Sequence, residues 1–347
     1  MLMIMLGVGN IVGAEPYLAR PGSVQGGVPQ YWFDDDGTAL TIQTGPNPVQ
    51  VRRMGHRSDT SIVNADQVFN RGIKRGDTIL VTGDKPRFAL ARTLPETKMD
   101  PDIHKLGDGR IRMRCGGAEF WLDECDAIQT TFRPSRTEYV LKTAKVEGLV
   151  MSLWVSQAAD WGFVSRLTVS NANPDRLELS AEFLYGGLST HGRTFSAAYF
   201  KAQDQDTAGN VVELDEIVGR SSTKLFKVFA AMTPPVKPTN ANGRLSFVSA
   251  LALAPNESRS VALCGGWAMP ERDIEKEVRN AQPQALIDEA TAYYATMLGK
   301  AVISTPSKVL DNGFRNAVLN MDCIWAHQAW LEGVHWWAAY WANNYQI

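Results

Sequence analysis

Apolar and polar residues alternate with a period of two through most of the chain from Glu15 to Trp267, and helical periodicity is nearly absent there. The clearest stretch runs from Tyr139 to Leu188. Leu149, Met151, Leu153 and Val155 share one face of a strand, and Phe163 to Val169 form the next. Ser170-Asn171-Ala172-Asn173-Pro174-Asp175 then breaks the pattern before Leu177, Leu179, Ala181 and Phe183 resume it. A second such pair comes later, Leu245 to Leu253 and Val261 to Leu263, joined by Ala254-Pro255-Asn256-Glu257-Ser258. Long alternating strands joined by Asn/Pro/Asp turns are how antiparallel sheets sandwich a core.

Shorter hairpins precede them. Tyr31-Trp32-Phe33 leads through Asp34-Asp35-Asp36-Gly37 into Ala39-Leu40-Thr41-Ile42. Three aspartates before a glycine invite a calcium loop, but the later ligands of an EF-hand are absent, so the reading is a solvated turn. Ile79-Leu80-Val81 and Phe88-Ala89-Leu90 bracket Gly83-Asp84. Ile111, Met113 and Cys115 alternate with arginines, and Gly116-Gly117 turns the chain into Phe120-Trp121-Leu122, a hairpin with one wet face. No repeat period points to a propeller or solenoid.

The period changes after Gly265-Gly266-Trp267. Residues 272–280 are charged and amphipathic. Pro283 opens a helical run in which Leu286, Ala290, Tyr293 and Met297 recur, with Gly299 as its C-cap. Ser304-Thr305-Pro306 supplies start signals for a second helix carrying Leu310, Phe314, Ala317 or Val318, Met321 and Trp325. Gly333 then interrupts the chain, so Trp330 to Val334 reads as a loop, and His335 onward as another helix or an extended loop. The pattern is mainly β with C-terminal α.

Composition narrows the class. A chain of 347 residues can bury more than one core, and 44% hydrophobic with 21% charged residues is globular. A net charge of −2, with Lys and Arg dispersed, argues against a nucleic-acid or anionic-membrane partner. The opening MLMIMLGVGNIVGAEPY is too short to span a bilayer. Val12-Gly13-Ala14 has the spacing of a signal-peptidase site, so 1–14 reads as a leader and the protein as exported, periplasmic or extracellular. A basic leading region is missing, and a buried first strand in a cytoplasmic protein is the competing reading. Of the four cysteines, none lies in a C-x-x-C pair. Cys115 and Cys125 flank a hairpin and are placed to bridge in an exported protein, while four separate buried thiols is the preferred alternative.

Little in the β region suggests catalysis. His191, in Gly186-Gly187-Leu188-Ser189-Thr190-His191-Gly192, lacks the spacing of a nucleophile elbow. His56, near Arg57 and Asp59, has no second histidine at ligand spacing. Glycine signatures that cradle phosphate are absent, and no cofactor or metal is expected. The chemistry concentrates in Trp325 to Ile347, where five of the ten tryptophans stand among Glu332, His335, Asn343 and Asn344. Aromatic faces cover the C–H faces of a pyranose, while amides and carboxylates take its hydroxyls. The competing reading is a helix whose tryptophans fill a core.

The order of parts resembles the glycoside hydrolases and phosphorylases that join an N-terminal β-supersandwich to a catalytic (α/α)6 barrel, the glucoamylase, processing α-glucosidase and cellobiose or maltose phosphorylase groups. Three stretches carry the resemblance. SRLTVSNANPDRLELSAEF (within Val164 to Phe183) looks like paired supersandwich strands. LALAPNESRSVALCGGW (Leu251 to Trp267) looks like the closing pair, and STPSKVLDNGFRNAVLNMDCIW (Ser304 to Trp325) like the first barrel helix. The resemblance implies a supersandwich over 15–267, a helical linker over 268–303 and the start of a truncated barrel over 304–347. It implies a carbohydrate substrate met by Trp336, Trp337, Trp341, Asn343 and Asn344, with His335 and Glu332 beside them. Several relatives carry an Arg-Asp pair after a Trp in that loop, where this chain has Trp341-Ala342-Asn343-Asn344. The two carboxyl groups of glycoside hydrolysis come from later helices in such enzymes. Glu332 is then the one carboxylate near the cleft, with a solvated glutamate as the competing reading. The implied function is the N-terminal fragment of a glycoside hydrolase acting on an oligosaccharide or glycan. A non-catalytic carbohydrate-binding or cell-surface β protein, and a glycoside phosphorylase, are the alternatives.

Overall fold

A computed structural model describes residues 24–25, 28–29, 31–33, 40–44, 70–83, 85–94, 102–188, 210–326 and 329–330. In chain order the strands are β1 (Tyr31–Phe33), β2 (Leu40–Thr44), β3 (Asn70–Arg75), β4 (Thr78–Gly83), β5 (Phe88–Leu94), β6 (Asp102–Cys115), β7 (Ala118–Trp121) and β8 (Ala127–Phe132). They continue with β9 (Arg136–Lys142), β10 (Leu149–Ala158), β11 (Gly162–Asn171), β12 (Leu177–Gly186) and β13 (Val211–Leu214). The last are β14 (Val218–Ser222), β15 (Lys227–Thr233), β16 (Thr239–Ala241), β17 (Arg244–Leu253) and β18 (Ser258–Trp267). Three helices come after them, α1 (Ile274–Arg279), α2 (Pro283–Lys300) and α3 (Lys308–Ile324). The fold is mainly antiparallel β with helices at its C-terminal side, as the periodicity predicts.

Two sheets hold these strands. The larger has ten, in the order β13-β14-β15-β18-β11-β10-β9-β8-β2-β1. The smaller has eight, in the order β16-β17-β12-β6-β5-β4-β3, with β7 added to β6. The predicted hairpins form. Phe33 pairs with Leu40, Val81 with Ala89, and Cys115 with Ala118. Gly116 and Gly117 make the last turn at φ +55° and +87°, the left-handed conformations a two-residue hairpin of this kind needs.

Alternation puts Leu80, Phe88, Met113 and Phe183 of the smaller sheet against Tyr139, Met151, Leu153 and Phe163 of the larger in one continuous core. Each large apolar side chain taken out of water there contributes about 1.5–3 kcal/mol. Polar contacts close the same space along β4. The Tyr139 hydroxyl donates to the Gly83 carbonyl at 2.9 Å, Gln157 Nε2 to the Thr78 carbonyl at 3.0 Å, and Trp267 Nε1 to Thr78 Oγ1 at 2.7 Å.

In β10 and β18 alternation stops part-way and every remaining residue is buried, from Val155 and from Val261 onward, while in β11 the fully buried run is its first four residues, before alternation begins. There the larger sheet is covered on its second face too. Ile274 and Val278 of α1 and Ile287 of α2 pack on Trp161, Val164, Phe229 and Cys264. Asp273 caps α1 by accepting from the Lys276 N–H, and Pro283 opens α2.

Several expectations are corrected. β11 and β12 do not pair with each other: β11 lies between β10 and β18 in the larger sheet, and β12 between β6 and β17 in the smaller. The same holds for β17 and β18. Both connections arch from one sheet to the other, and a period-two pattern cannot distinguish an arch from a hairpin. Gly299 is not a C-cap but lies inside α2, which ends at Lys300 with Ala301 as its cap. Leu310 is exposed, and Leu319 is buried among the described side chains of α3.

Candidate functional site

Glu332, His335, Trp336, Trp337, Trp341, Asn343 and Asn344 lie outside the described residues, as do 1–14, Asp34 to Asp36, His56 and His191. The structure shows the approach to that stretch. Helix α3 ends at Ile324, and Trp325 then pairs with Trp330 in a two-residue antiparallel ladder completed by Ala326 and Ala329. The predicted helix through Trp325 therefore stops one residue earlier, and Trp330 belongs to a ladder instead of a loop.

The arginines of β6 form the most polar face described. Arg110, Arg112 and Arg114 stand at alternate positions of one strand, so they share one face. Glu182 of β12 accepts from Arg112 Nε and from the Ser246 hydroxyl, each at 2.8 Å. Glu119 accepts from Arg114 Nε at 2.7 Å and Arg112 Nη1 at 3.1 Å, and Asp123 from Arg110 Nε at 2.9 Å and from Arg87. The Trp121 ring carries Arg110 3.9 Å above its centroid, a cation–π contact. Hydrogen bonding from Arg114 holds the Glu119 carboxyl below the ordinary carboxylate range. Glu119 so occupied stays ionised and is not poised as a general acid.

A second cluster is buried at the other end of β6. Lys105, which is 0% exposed, reaches Asp108 at 3.0 Å, and Arg244 of β17 pairs with the same carboxylate. Burial alone would raise the Asp108 pKa, but Arg244 and Lys105 outweigh it and hold the group below its usual value. Beside it the Tyr185 hydroxyl donates to the Leu106 carbonyl at 2.9 Å, and burial, reinforced by Asp108, pushes the phenol well up. A shift of register between Leu90 and Ala91 lets one extra residue into β6 here. Sequence reasoning missed this cluster because Asp108 and Arg244 are 136 residues apart. Its one local signal is Lys105-Leu106-Gly107-Asp108-Gly109, charges set among glycines inside a strand.

Cys115, Cys125 and Cys264 are separate buried thiols. Burial pushes Cys125 and Cys264 up to about 12, which makes them poor nucleophiles. Among the described residues no group of three His, Cys, Asp or Glu side chains is arranged to hold a metal ion, and no helix is long and apolar enough to cross a membrane.

No protein-family model and no curated protein sequence matches the chain. Several solved structures are similar to it at low identity. One is described as a kojibiose phosphorylase from the human microbiome, at TM-score 0.49 and 9% identity over 85% of this chain and 42% of that one. Another is a family 92 glycosyl hydrolase, at TM-score 0.33 and 11% identity over 84% of this chain and 38% of that one. A third is an aldose 1-epimerase from Escherichia coli K12, at TM-score 0.37 and 13% identity over 57% of this chain and 98% of that one. The chain spans less than half the length of the phosphorylase and of the glycosyl hydrolase.

Proposed function

We propose that the chain belongs to a carbohydrate-active enzyme, a glycoside hydrolase acting on an oligosaccharide or glycan. One observation carries the reading: a two-sheet sandwich is followed by packed helices, and α3 leads directly into a stretch dense in tryptophan and short amides. In this reading residues 15–267 form the supersandwich, 268–303 the linker and 304–347 the first part of the catalytic barrel, in a protein exported after cleavage before Glu15. Trp336, Trp337 and Trp341 supply flat surfaces to a sugar ring, while Asn343, Asn344 and His335 meet its hydroxyls and Glu332 stands beside them. Hydrolysis needs a free pair of carboxyl groups flanking the scissile bond. Glu119, Asp123, Glu182 and Asp108 are each held by basic partners, so the role of this chain is to bind and orient the sugar.

Intrinsic tryptophan fluorescence of the full chain, titrated with glucose, mannose and their disaccharides, tests this. A saturable change with at least one sugar is expected, weakened about tenfold or more by Trp341→Ala or Asn343→Ala. Sugar binding that both variants leave intact, or no response to any of these sugars, refutes the assignment of the pocket. The purified chain is expected to show no turnover of aryl glycosides, and robust hydrolysis would overturn its purely binding role.

A further inference from the structure

One side chain ties the second half of α2 to the edge of the smaller sheet. Arg75 ends β3, at the turn through Gly76 and Asp77 into β4. Its guanidinium forks onto both carboxylate oxygens of Glu289 in α2, at 2.9 Å each, and lies 4.1 Å over the ring centroid of Tyr293, one helical turn further on. The Arg75 side chain is 12% exposed and that of Glu289 47%, so the pair is shielded on the sandwich side and wet on the other. Tyr293 meets Tyr294 edge-on at 5.1 Å, and Tyr294 packs with Met297, Leu298 and Leu319 of α3. Helix α3 also rests on β3 itself.

Among the described side chains the rest of this attachment is thin. The first half of α2 is secured by Ile287 in the core behind the larger sheet and by Arg136 Nη1 donating to Thr291 at 3.1 Å. Beyond it the buried side chains described are Tyr294 in α2 and Leu319 in α3. We propose that Arg75 is a latch: through Glu289 and Tyr293 it holds the second half of α2, and with it α3, on the sandwich, and these helices open together when it is released. Only arginine fits the role. The planar fork matches the carboxylate while its face stacks on the ring, and lysine can do neither. A half-wet ion pair is also screened by salt, so the latch is weaker at high ionic strength.

Hydrogen exchange on the full-length chain, read segment by segment, tests the latch without any sugar present, so its outcome is separate from the carbohydrate reading. In Arg75→Ala the amides of 292–300 and 308–319 are expected to exchange about tenfold faster, while those of β10 and β11 keep their protection. Arg75→Lys should resemble Arg75→Ala, and Arg176→Ala, in an exposed pair with Glu178, should resemble the wild type. Unchanged exchange in the helices of Arg75→Ala overturns the proposal, as does protection lost evenly from helices and strands, or full rescue by lysine. Should Arg75→Ala not fold, the wild type in low and in 1 M salt serves instead. Faster helix exchange with salt supports the latch, and salt-independent exchange overturns it.

Discussion

Asn171 donates its side-chain amide to the main-chain carbonyl of Leu253, 3.2 Å away and 82 residues further along the chain. The same amide reaches the carbonyls of Asp175 at 2.8 Å and Ala254 at 3.2 Å, and Asn171 Oδ1 accepts from the Asn173 N–H at 2.9 Å. Main-chain bonds from Asn171 to Glu257 and from Asn256 back to Asn171 complete the tie. Both arches that carry the chain from one sheet to the other are thereby knotted at a single residue, itself 1% exposed.

Asn171→Ala strips donors from carbonyls in both arches, that of Leu253 buried, and an unmade buried hydrogen bond costs about 1–3 kcal/mol. We expect a loss of about 2–4 kcal/mol, read from the urea midpoint at unchanged slope. Asn171→Asp keeps the acceptor for Asn173 but removes both N–H donors and places a charge among carbonyls, so it should cost at least as much. A wild-type midpoint for Asn171→Ala would show that the arches hold without the tie.

Asp108 predicts how stability depends on acid. Its pKa is held below the unfolded value by Arg244 and Lys105, against the opposing effect of burial. A carboxyl depressed in the folded state binds its proton less readily there than in the unfolded chain. Its stabilising share is therefore complete above the unfolded pKa, about 3.9, and is lost as pH falls through the lower folded value. Asp108→Asn should be destabilised by about 3 kcal/mol or more at pH 7, because a buried lysine loses a counter-charge. The gap from the wild type should narrow as pH drops below about 4. A gap that stays constant from pH 7 to pH 3 would contradict this assignment.

How much of this was legible depends on what a pattern records. Alternation reports which face of a strand is buried, so the apolar positions of β10 and β11 and the Gly116-Gly117 hairpin could be read directly. It does not report the neighbour. Asn173-Pro174-Asp175 turns the chain equally well into the same sheet or the opposite one, and only the long-range bonds of Asn171 decide it. The period also could not show that helices cover one end of the larger sheet, although the unbroken apolar run Val261 to Trp267 at the end of β18 carried that signal. Gly299 looked like a stop because glycine usually ends a helix, yet α2 continues through it. As to the candidate site, Glu332 to Asn344 were legible only as composition. Of the cluster of Lys105, Asp108 and Arg244 only the charges set among glycines at 105–109 left a local trace, because an ion pair between distant strands has no sequence period.

The thiols offer a direct chemical check. Cys125 and Cys264 are pushed to about 12 by burial, and burial raises Cys115 as well. At pH 8 almost none of Cys125 or Cys264 is thiolate, the reactive form. An aromatic disulfide reagent, its sites located by peptide mapping, should label none of Cys115, Cys125 and Cys264 in the native protein and all three, with Cys323, after denaturation. Failure of Cys115 and Cys125 to titrate in guanidinium without reductant would mean that they pair after all.

Gly162 is required for its lack of a side chain, not for its backbone angles. It begins β11 and faces Gly266 of β18, with the Trp267 N–H donating to the Trp161 carbonyl at 3.1 Å beside it. A Cβ at Gly162 would fall 1.9 Å from the Gly265 carbonyl oxygen and 2.9 Å from the Gly266 Cα. Those atoms are backbone in the middle of a ten-stranded sheet and cannot rotate aside, so Gly162→Ala must spread β11 from β18. Overpacking of this kind costs about 3 kcal/mol. Gly313→Ala is the control: nothing among the described residues lies within 4 Å of a Cβ there, and the site is inside α3. Helix propensity then predicts a gain of about 0.5–1 kcal/mol. Thermal melts of the two variants should move in opposite directions from the wild type. If Gly162→Ala melts with the wild type, β11 and β18 are not as closely apposed at this register as the geometry requires.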